Sequence, residues 1–578
     1  MCGIAGLIGP GASLEAVERM ASALAHRGPD DAGAWAEPGV ALAHTRLSIL
    51  DLSPAGHQPM QLGPLSIVYN GEIYNYRELR ASLPGPFHSN SDTEVLLHLY
   101  REHGERCVER LQGMFAFAIW DSERRRLFAA RDHLGIKPFH YSMKGGTFAF
   151  ASELGALRRA ASGPLDRTAV IDYLTHGYVP SPKTMFDGLS KLPPAHTLTL
   201  EDGRLALRRY WSAEPGTVLA DMPAAVERLD ELLREIVPAQ LVSDVPVGVF
   251  LSGGMDSATI SWYAGKVQTY TLAIDDRAKS EADAARSVAR HLGTDHHETV
   301  ASSGDLHTAL DTVARCFGEP FGDNAAWSGW LISKRAREQV TVALTGEGGD
   351  ELFGGYERYW KLQQAGLPRL GRVLSRIFDP STKLGRSIHR RAVSGLDAAA
   401  ARTGGIVGPA LDEMLAPGYL PDGYDRLWSF RPYWREDLHP TQALRWLELN
   451  TALPDRLLTK VDRTSMAHSL EVRPPLLDHR LVEFAFGLAP ELLVDAKAGR
   501  GKLILRRLME ARLPPGHLDR PKSGFGLPVR RWIAADPALV ARASRTLIDA
   551  GILRRPFEPG FDRAWMLLVL ARWLELEG

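Results

Sequence analysis

Residues 244–264 read DVPVGVFLSGGMDSATISWYA: a short apolar run, a glycine-rich turn and a helical stretch in immediate succession. The run reads as a buried strand. Gly253 and Gly254 let backbone N–H groups approach an anion, Ser252 and Ser257 add hydroxyl donors, and the helix start adds partial positive charge. A phosphate fits there. The turn lacks the GxxxxGK[ST] pattern of the kinase-like phosphate loop, and it carries a carboxylate, Asp256, where the phosphate would sit. Two anions side by side require a cation, so Mg²⁺ between Asp256 and phosphate is the consistent reading.

Residues 339–356, QVTVALTGEGGDELFGGY, repeat the arrangement and place Glu347, Asp350 and Glu351 in the turn. Three carboxylates would repel a dinucleotide pyrophosphate, which argues against a Rossmann fingerprint. With TYTLAI (269–274), these strands alternate with helical patterns from Ala224 onward. That rhythm predicts an α/β unit with a parallel, doubly wound sheet, both loops lying at carboxyl ends of strands, where ligands bind. After Glu357 the pattern turns helical to the end, and residues 367–438 are the least readable. RHLGTDHHE (290–298) suggests zinc, but adjacent His296 and His297 side chains diverge on a strand or turn, which argues against a shared metal.

Upstream the rhythm differs. VALAHTRLSIL, LSIVYNGEIY, MFAFAIWD, RLFAARD and TFAFASE are apolar runs bounded by Gly, Asp, Asn or Pro, which predicts a layered, β-rich domain over residues 1 to about 210. A helix is expected over 92–102, opened by an Asp/Ser-type cap. The polar stretch 212–223 separates the two rhythms, dividing the chain into units 1–211 and 224–578. A chain of 578 residues exceeds one core, and its net charge of −1 gives no footprint for nucleic acid or an anionic membrane. Neither a signal peptide nor a run of about 18 apolar residues is found. Three cysteines make no disulfide framework, and the expected address is the cytoplasm.

One of those cysteines is Cys2. Removal of Met1 would leave its thiol beside a free α-amine, whose pKa of about 8 suits it as base for the thiol. A thiolate attacking a carboxamide forms a thioester and releases ammonia. Asn70-Gly71 offers a side-chain amide and an unhindered backbone N–H for the oxyanion, although Asn-Gly alone also fits a hairpin turn. Arg46 suits a substrate carboxylate, and Glu72 with Asp92 suits an ammonium.

MCGIAG, AHRGPDD, HTRLSILD, NGEIYNY, SDTE, GMFAFAIWD and RDHLGIKP resemble, in order and spacing, the motif series of class II glutamine amidotransferases. The resemblance implies an α+β N-terminal-nucleophile (Ntn) fold, a layered β-sandwich. It implies Cys2 as nucleophile, Asn70 and Gly71 as oxyanion hole, and Arg46, Asn70, Glu72 and Asp92 as glutamine ligands. SGGMDS resembles the PP-loop of ATP pyrophosphatases. By that likeness Leu251, Ser252, Gly253, Gly254, Asp256, Ser257, Leu272, Thr345 and Gly346 line ATP, and Asp256 and Asp350 bind Mg²⁺. The family commonly has Gly where Ala273 stands.

LLTKVDRTSMAHSLEVRPPLLDHRLVEFA (457–485) resembles the synthetase signature of glutamine-dependent asparagine synthetases, with Pro474 where Val is usual. Lys522 in RPKSGFGLP matches the family lysine expected to stabilise the α-phosphate, and Glu347 the acid expected to assist the attacking ammonia. The resemblance implies a ligase that takes ammonia from glutamine and delivers it to an acyl-adenylate made from ATP and a carboxylate. Aspartate is the first choice of acceptor; the alternative is another carboxylate such as a sugar acid, peptide or specialised metabolite. The substrates implied are glutamine, ATP and aspartate, and a homodimer is the candidate assembly.

Overall fold

The computed structural model describes residues 2–216, 219–274, 278–301, 306–363, 395–401, 404–406, 408–520, 529–561 and 563–577. Lys522 lies outside the described residues, as does much of the stretch 367–438.

The first part is built on strands β1 (Gly3–Ile8), β2 (Asp31–Glu37), β3 (Val40–Arg46), β4 (Met60–Leu62), β5 (Leu65–Ile73) and β6 (Gly113–Asp121). It continues with β7 (Arg126–Arg131), β8 (His140–Lys144), β9 (Thr147–Ala151), β10 (Leu189–Lys191), β11 (His196–Glu201) and β12 (Arg204–Arg209). They form two antiparallel sheets in the orders β10-β8-β9-β1-β3-β2 and β12-β11-β7-β6-β5-β4. Strand alternation assigns the faces. Ile4 of β1 and Val68 of β5 meet in the core between the sheets, while Ile67, Tyr69 and Ile73 face outward onto the helix Asp92–His103. Ser91 caps that helix by accepting from the Thr93 N–H, one residue ahead of the expected start. Asn70 and Glu72 share the parity of Val68, so they point inward, towards the start of β1 and Cys2.

The second part is a parallel five-stranded sheet in the order β15-β14-β13-β16-β17. Its strands are β13 (Val247–Phe250), β14 (Gln268–Ile274), β15 (Asp295–Ala301), β16 (Val342–Leu344) and β17 (Glu471–Arg473). Three of these were expected; the outer two were not. β15 is the DHHETVA stretch, and as an edge strand it carries polar residues that hide its signal. There His296 Nδ1 lies 2.9 Å from Thr269 Oγ1, while His297 stacks on Tyr270. β17 lies in the region read as wholly helical and consists of Glu-Val-Arg. Its charges are fully buried and pair with one another, which no periodicity reveals.

The two parts share buried surface. One apolar cluster holds Ala5 and Leu7 of β1 together with Leu310, Trp327, Leu567 and Trp573 from the second part, so the last helix, Ala564–Glu577, covers the outer face of the first sheet system. A smaller cluster of Leu47, Ile49, Met114, Val342 and Met466 fills the space between Cys2 and the parallel sheet.

Candidate active sites

Cys2 sits at the entrance to β1, nearly buried at 9% exposure. Its backbone N–H donates to Asn70 Oδ1 at 3.0 Å, and its Sγ lies 4.0 Å from the Leu47 carbonyl. Asn70 is fully buried, and its Nδ2 donor has no partner among the described residues. An orphaned amide donor beside a thiol is costly unless a ligand oxygen takes it, and that is the property an oxyanion site needs. Gly71 follows where a Cβ would come within 2.2 Å of the Met114 carbonyl on β6; only glycine lets the strands pass there. Asn70-Gly71 is therefore strand, not hairpin turn. Burial pushes the Cys2 thiol above its ordinary value, so the resting group is the protonated thiol and attack requires a base.

The flanking charges are spread around this thiol. Arg46, at the end of β3, donates to the Ser53, Leu50 and Asp51 carbonyls at 3.2, 3.2 and 2.6 Å, which fixes its guanidinium in the loop after the strand. Asp92 Oδ2 accepts from Tyr69 Oη at 2.8 Å and from the Ile73 N–H at 3.0 Å. Burial raises Asp92 to about 6 despite these bonds. Glu72 is also pushed up, by burial and then by the charge of Asp92. Its Oε2 accepts from Arg473 of β17 at 3.0 Å, while its Oε1 is buried with no partner among the described residues. Two buried carboxylates, Glu72 on the inner face and Asp92 at the helix start, with one oxygen lacking a partner among the described residues, suit an ammonium.

The second site lies where the β13 and β16 turns meet. Ser257 Oγ accepts from the Ser252 N–H at 3.2 Å, and the Ser252 and Ser257 hydroxyls are 3.0 Å apart, giving the turn its curl before the helix Met255–Ala264. Gly253 takes φ +74°, and its Cβ would lie 2.6 Å from the Ala285 nitrogen. A Cβ on Gly346 would reach 2.7 Å from the Ser257 nitrogen, and one on Gly349 2.5 Å from Asp256 Cγ, so the two turns touch backbone to backbone. Leu251 and Leu272 are buried beneath them. Thr345 donates its N–H to the Arg473 carbonyl at 2.9 Å.

The carboxylates of Asp256 and Asp350 converge on the Lys502 ammonium, which is 2.6 Å from Asp350 Oδ1 and bonded to Asp256 Oδ2. Both pull the buried lysine above its ordinary pKa. Two carboxylates are the donor type Mg²⁺ takes, and in this structure Lys502 is the positive charge between them. Glu347 faces Lys460 at 4.0 Å, and burial raises Glu351 to about 7, with the charge of Asp350 adding to the shift.

A family model described as asparagine synthase matches residues 228–575, well over half the chain, and one described as a glutamine amidotransferase domain matches residues 1–211. The chain belongs to the asparagine synthase family. Among its relatives in Bacillus subtilis (strain 168), glutamine-hydrolysing asparagine synthetase 1 is 32% identical over 540 residues, covering 90% of this chain and 85% of the relative. Asparagine synthetase 3 of the same organism is 34% identical over 559 residues, covering 91% and 87%. The chain is thus a glutamine-dependent, ATP-using ligase, with two layered antiparallel sheets followed by a parallel five-stranded sheet.

Three residues of these sites escaped the sequence reading. Lys502 lies in GRGKLILRR, an ordinary basic stretch until folding inserts it between two carboxylates. Arg473 was read only as part of a signature. Arg27, in AHRGPDD, donates from Nε to the Cys2 carbonyl at 3.0 Å and forks onto Asp462 of the helix Thr459–Met466 at 2.9 and 3.0 Å. No local pattern signals a partner 435 residues away.

Proposed function

We propose that the chain makes asparagine from aspartate, with glutamine as nitrogen donor and ATP cleaved to AMP and pyrophosphate. The observation that carries this reading is the joint presence of a buried thiol beside an Asn70 Nδ2 with no partner among the described residues and of a glycine turn flanked by Asp256 and Asp350, with one apolar cluster between them.

At the first site Arg46 takes the glutamine carboxylate, and Glu72 and Asp92 take its ammonium. With Met1 removed, the Cys2 α-amine accepts the thiol proton as sulfur attacks the carboxamide carbon. Asn70 Nδ2 and the Gly71 N–H receive the oxyanion. Collapse expels ammonia and leaves a glutamyl thioester, which water hydrolyses to glutamate and the free thiol.

At the second site the turn around Leu251, Ser252, Gly253, Gly254 and Ser257 cradles the ATP phosphates, with Leu272, Thr345 and Gly346 along the nucleotide. Asp256 and Asp350 would hold Mg²⁺, which offsets phosphate charge when bound. The aspartate side-chain carboxylate attacks the α-phosphorus and pyrophosphate leaves, with Lys522 offsetting the charge developing on the α-phosphate. Ammonia then attacks the acyl carbon, Glu347 takes the surplus proton, and AMP departs. Ammonia would cross between the sites past Leu47, Ile49, Met114, Val342 and Met466, packed apolar side chains that favour NH₃ over NH₄⁺.

The test is a product balance with aspartate, glutamine and ATP: asparagine, glutamate, AMP and pyrophosphate in equal amounts, aspartate outperforming other carboxylates. A better acceptor elsewhere in the panel would replace aspartate in this reading. Channelling is checked with amide-¹⁵N glutamine in excess unlabelled ammonium; asparagine that loses the label rules out a closed route. The reading places the enzyme in the cytoplasm as units 1–211 and 224–578.

A further inference from the structure

Arg473 is fully buried at the end of β17, inside the ATP-binding sheet, yet its side chain reaches the glutaminase half. Its Nε donates to Glu471 Oε1 at 2.6 Å, and its Nη1 to the Gln240 and Val242 carbonyls at 2.8 and 2.7 Å. Its Nη2 donates to Glu72 Oε2 at 3.0 Å. The guanidinium is held by three groups of its own half and offers one bond across the interface. At the other end of the residue, the backbone carbonyl takes the Thr345 N–H, the first residue of the turn after β16.

Three buried carboxylates lie around it, and buried Lys137 also acts on Glu471. Glu72, Asp92 and Glu471 are all buried, and Arg473 contacts Glu471 and Glu72. It holds Glu471 down to about 2, while Glu72 and Asp92 stay above the usual carboxylate range. Glu72 Oε1 has no partner among the described residues, and its side chain is fixed by the arginine. A rigid guanidinium on one oxygen aims the other. An arriving ammonium then draws on the same carboxylate that Arg473 holds, and Arg473, pinned by two carbonyls, passes any displacement to its own strand.

We propose that Arg473 is a positioning residue for glutamine supplied by the synthetase half, and that through its carbonyl on Thr345 it links glutamine occupancy to the geometry of the ATP turn. The proposal rests on the reading of Glu72 as a glutamine ligand. Linkage is reciprocal, so ATP and aspartate must alter glutamine binding as glutamine alters theirs.

The experiment uses the full chain and measures glutamate release against glutamine concentration, with and without saturating ATP and aspartate, in the parent, Arg473→Lys and Glu72→Gln. In the parent the nucleotide and aspartate should shift the glutamine KM by about fivefold or more. Arg473→Lys, which keeps the charge but loses the fork, should raise that KM about tenfold with kcat within about threefold, and the shift should vanish. A parent KM indifferent to ATP, or a shift that survives in Arg473→Lys, overturns the proposal. Glu72→Gln separates the two readings: an unchanged glutamine KM there removes Glu72 from the pocket, whereas a raised KM with an intact ATP shift removes only the role of Arg473. If Arg473→Lys does not accumulate folded, Glu72→Gln decides alone, loss of the shift supporting the proposal and its persistence overturning it.

Discussion

At the scale of single residues the first site is defined by polar atoms left without partners. Asn70 Nδ2 and Glu72 Oε1 are buried with no partner among the described residues, a cost that substrate would remove in the proposed reading. Asn70→Ala should lower kcat for glutamine hydrolysis about 10²- to 10³-fold, the usual loss for one oxyanion donor, with a smaller change in KM. Steady-state glutamate release reads this directly. Asp92 carries a pH signature. Burial raises its folded pKa to about 6, so it is charged above that value and neutral below it. In the proposed reading the charged form attracts the substrate ammonium; glutamine KM should then rise as pH falls through about 6, by up to about tenfold per unit. Asp92→Asn should have the higher KM throughout and lose the slope. Asn70, Glu72 and Asp92 were legible in the sequence as residue types in a familiar order. What they touch was not.

At the scale of elements, two turns from separate strands meet because glycine lets them touch, and together they make the proposed nucleotide site. A Cβ on Gly346 would come within 2.7–2.8 Å of the Ser257 nitrogen and the Asp256 carbonyl carbon, backbone atoms that cannot swing aside. Gly346→Ala should push the turns apart and cut ATP–pyrophosphate exchange at least about tenfold, the rate cost of a misplacement near 1 Å. Unchanged circular dichroism would confirm that the fold survives. Strands β13, β14 and β16 were readable because buried parallel strands are unbroken apolar runs. β15 and β17 were not, the one being a polar edge and the other two paired charges around a valine. The five-stranded sheet, and with it the bond from Arg473 to Thr345, needed the tertiary structure.

At the scale of the whole molecule, the halves are locked by buried ions. Arg27 is fully buried and reaches Cys2, Glu153 and Asp462 at once. Arg27→Met would take both guanidinium bonds from the buried Asp462 carboxylate, leaving the more remote charges of Lys137 and Arg463, while Glu153 keeps Arg463 at 2.6 Å. Removing one partner of such a buried pair costs about 3–5 kcal/mol, so the variant should unfold at markedly lower urea. Adding Asp462→Asn should restore part of the loss, making the double change less than additive. Asp462 also has a sign to check. Burial opposes its charge, but Arg27 holds its pKa below the ordinary 3.8, so its contribution is present above about pH 4 and fades as pH falls below that value. In Arg27→Met that acid-side loss should shrink, measured as unfolding free energy between pH 5 and 3.

The sequence by itself determined the chemistry of this protein: a cysteine next to the initiator, an Asn-Gly pair, and two glycine turns bearing carboxylates are local patterns whose spacing is set by covalent geometry. It determined the class of each half as well, since apolar periodicity reflects which faces are buried. Only the tertiary structure decided how the two chemistries meet. Arg27 with Asp462, Arg473 with Glu72, and Lys502 between Asp256 and Asp350 join residues 152 to 435 positions apart. A charge buried at such a distance leaves no period in the chain, because its partner is chosen by packing and by the need to neutralise it away from water.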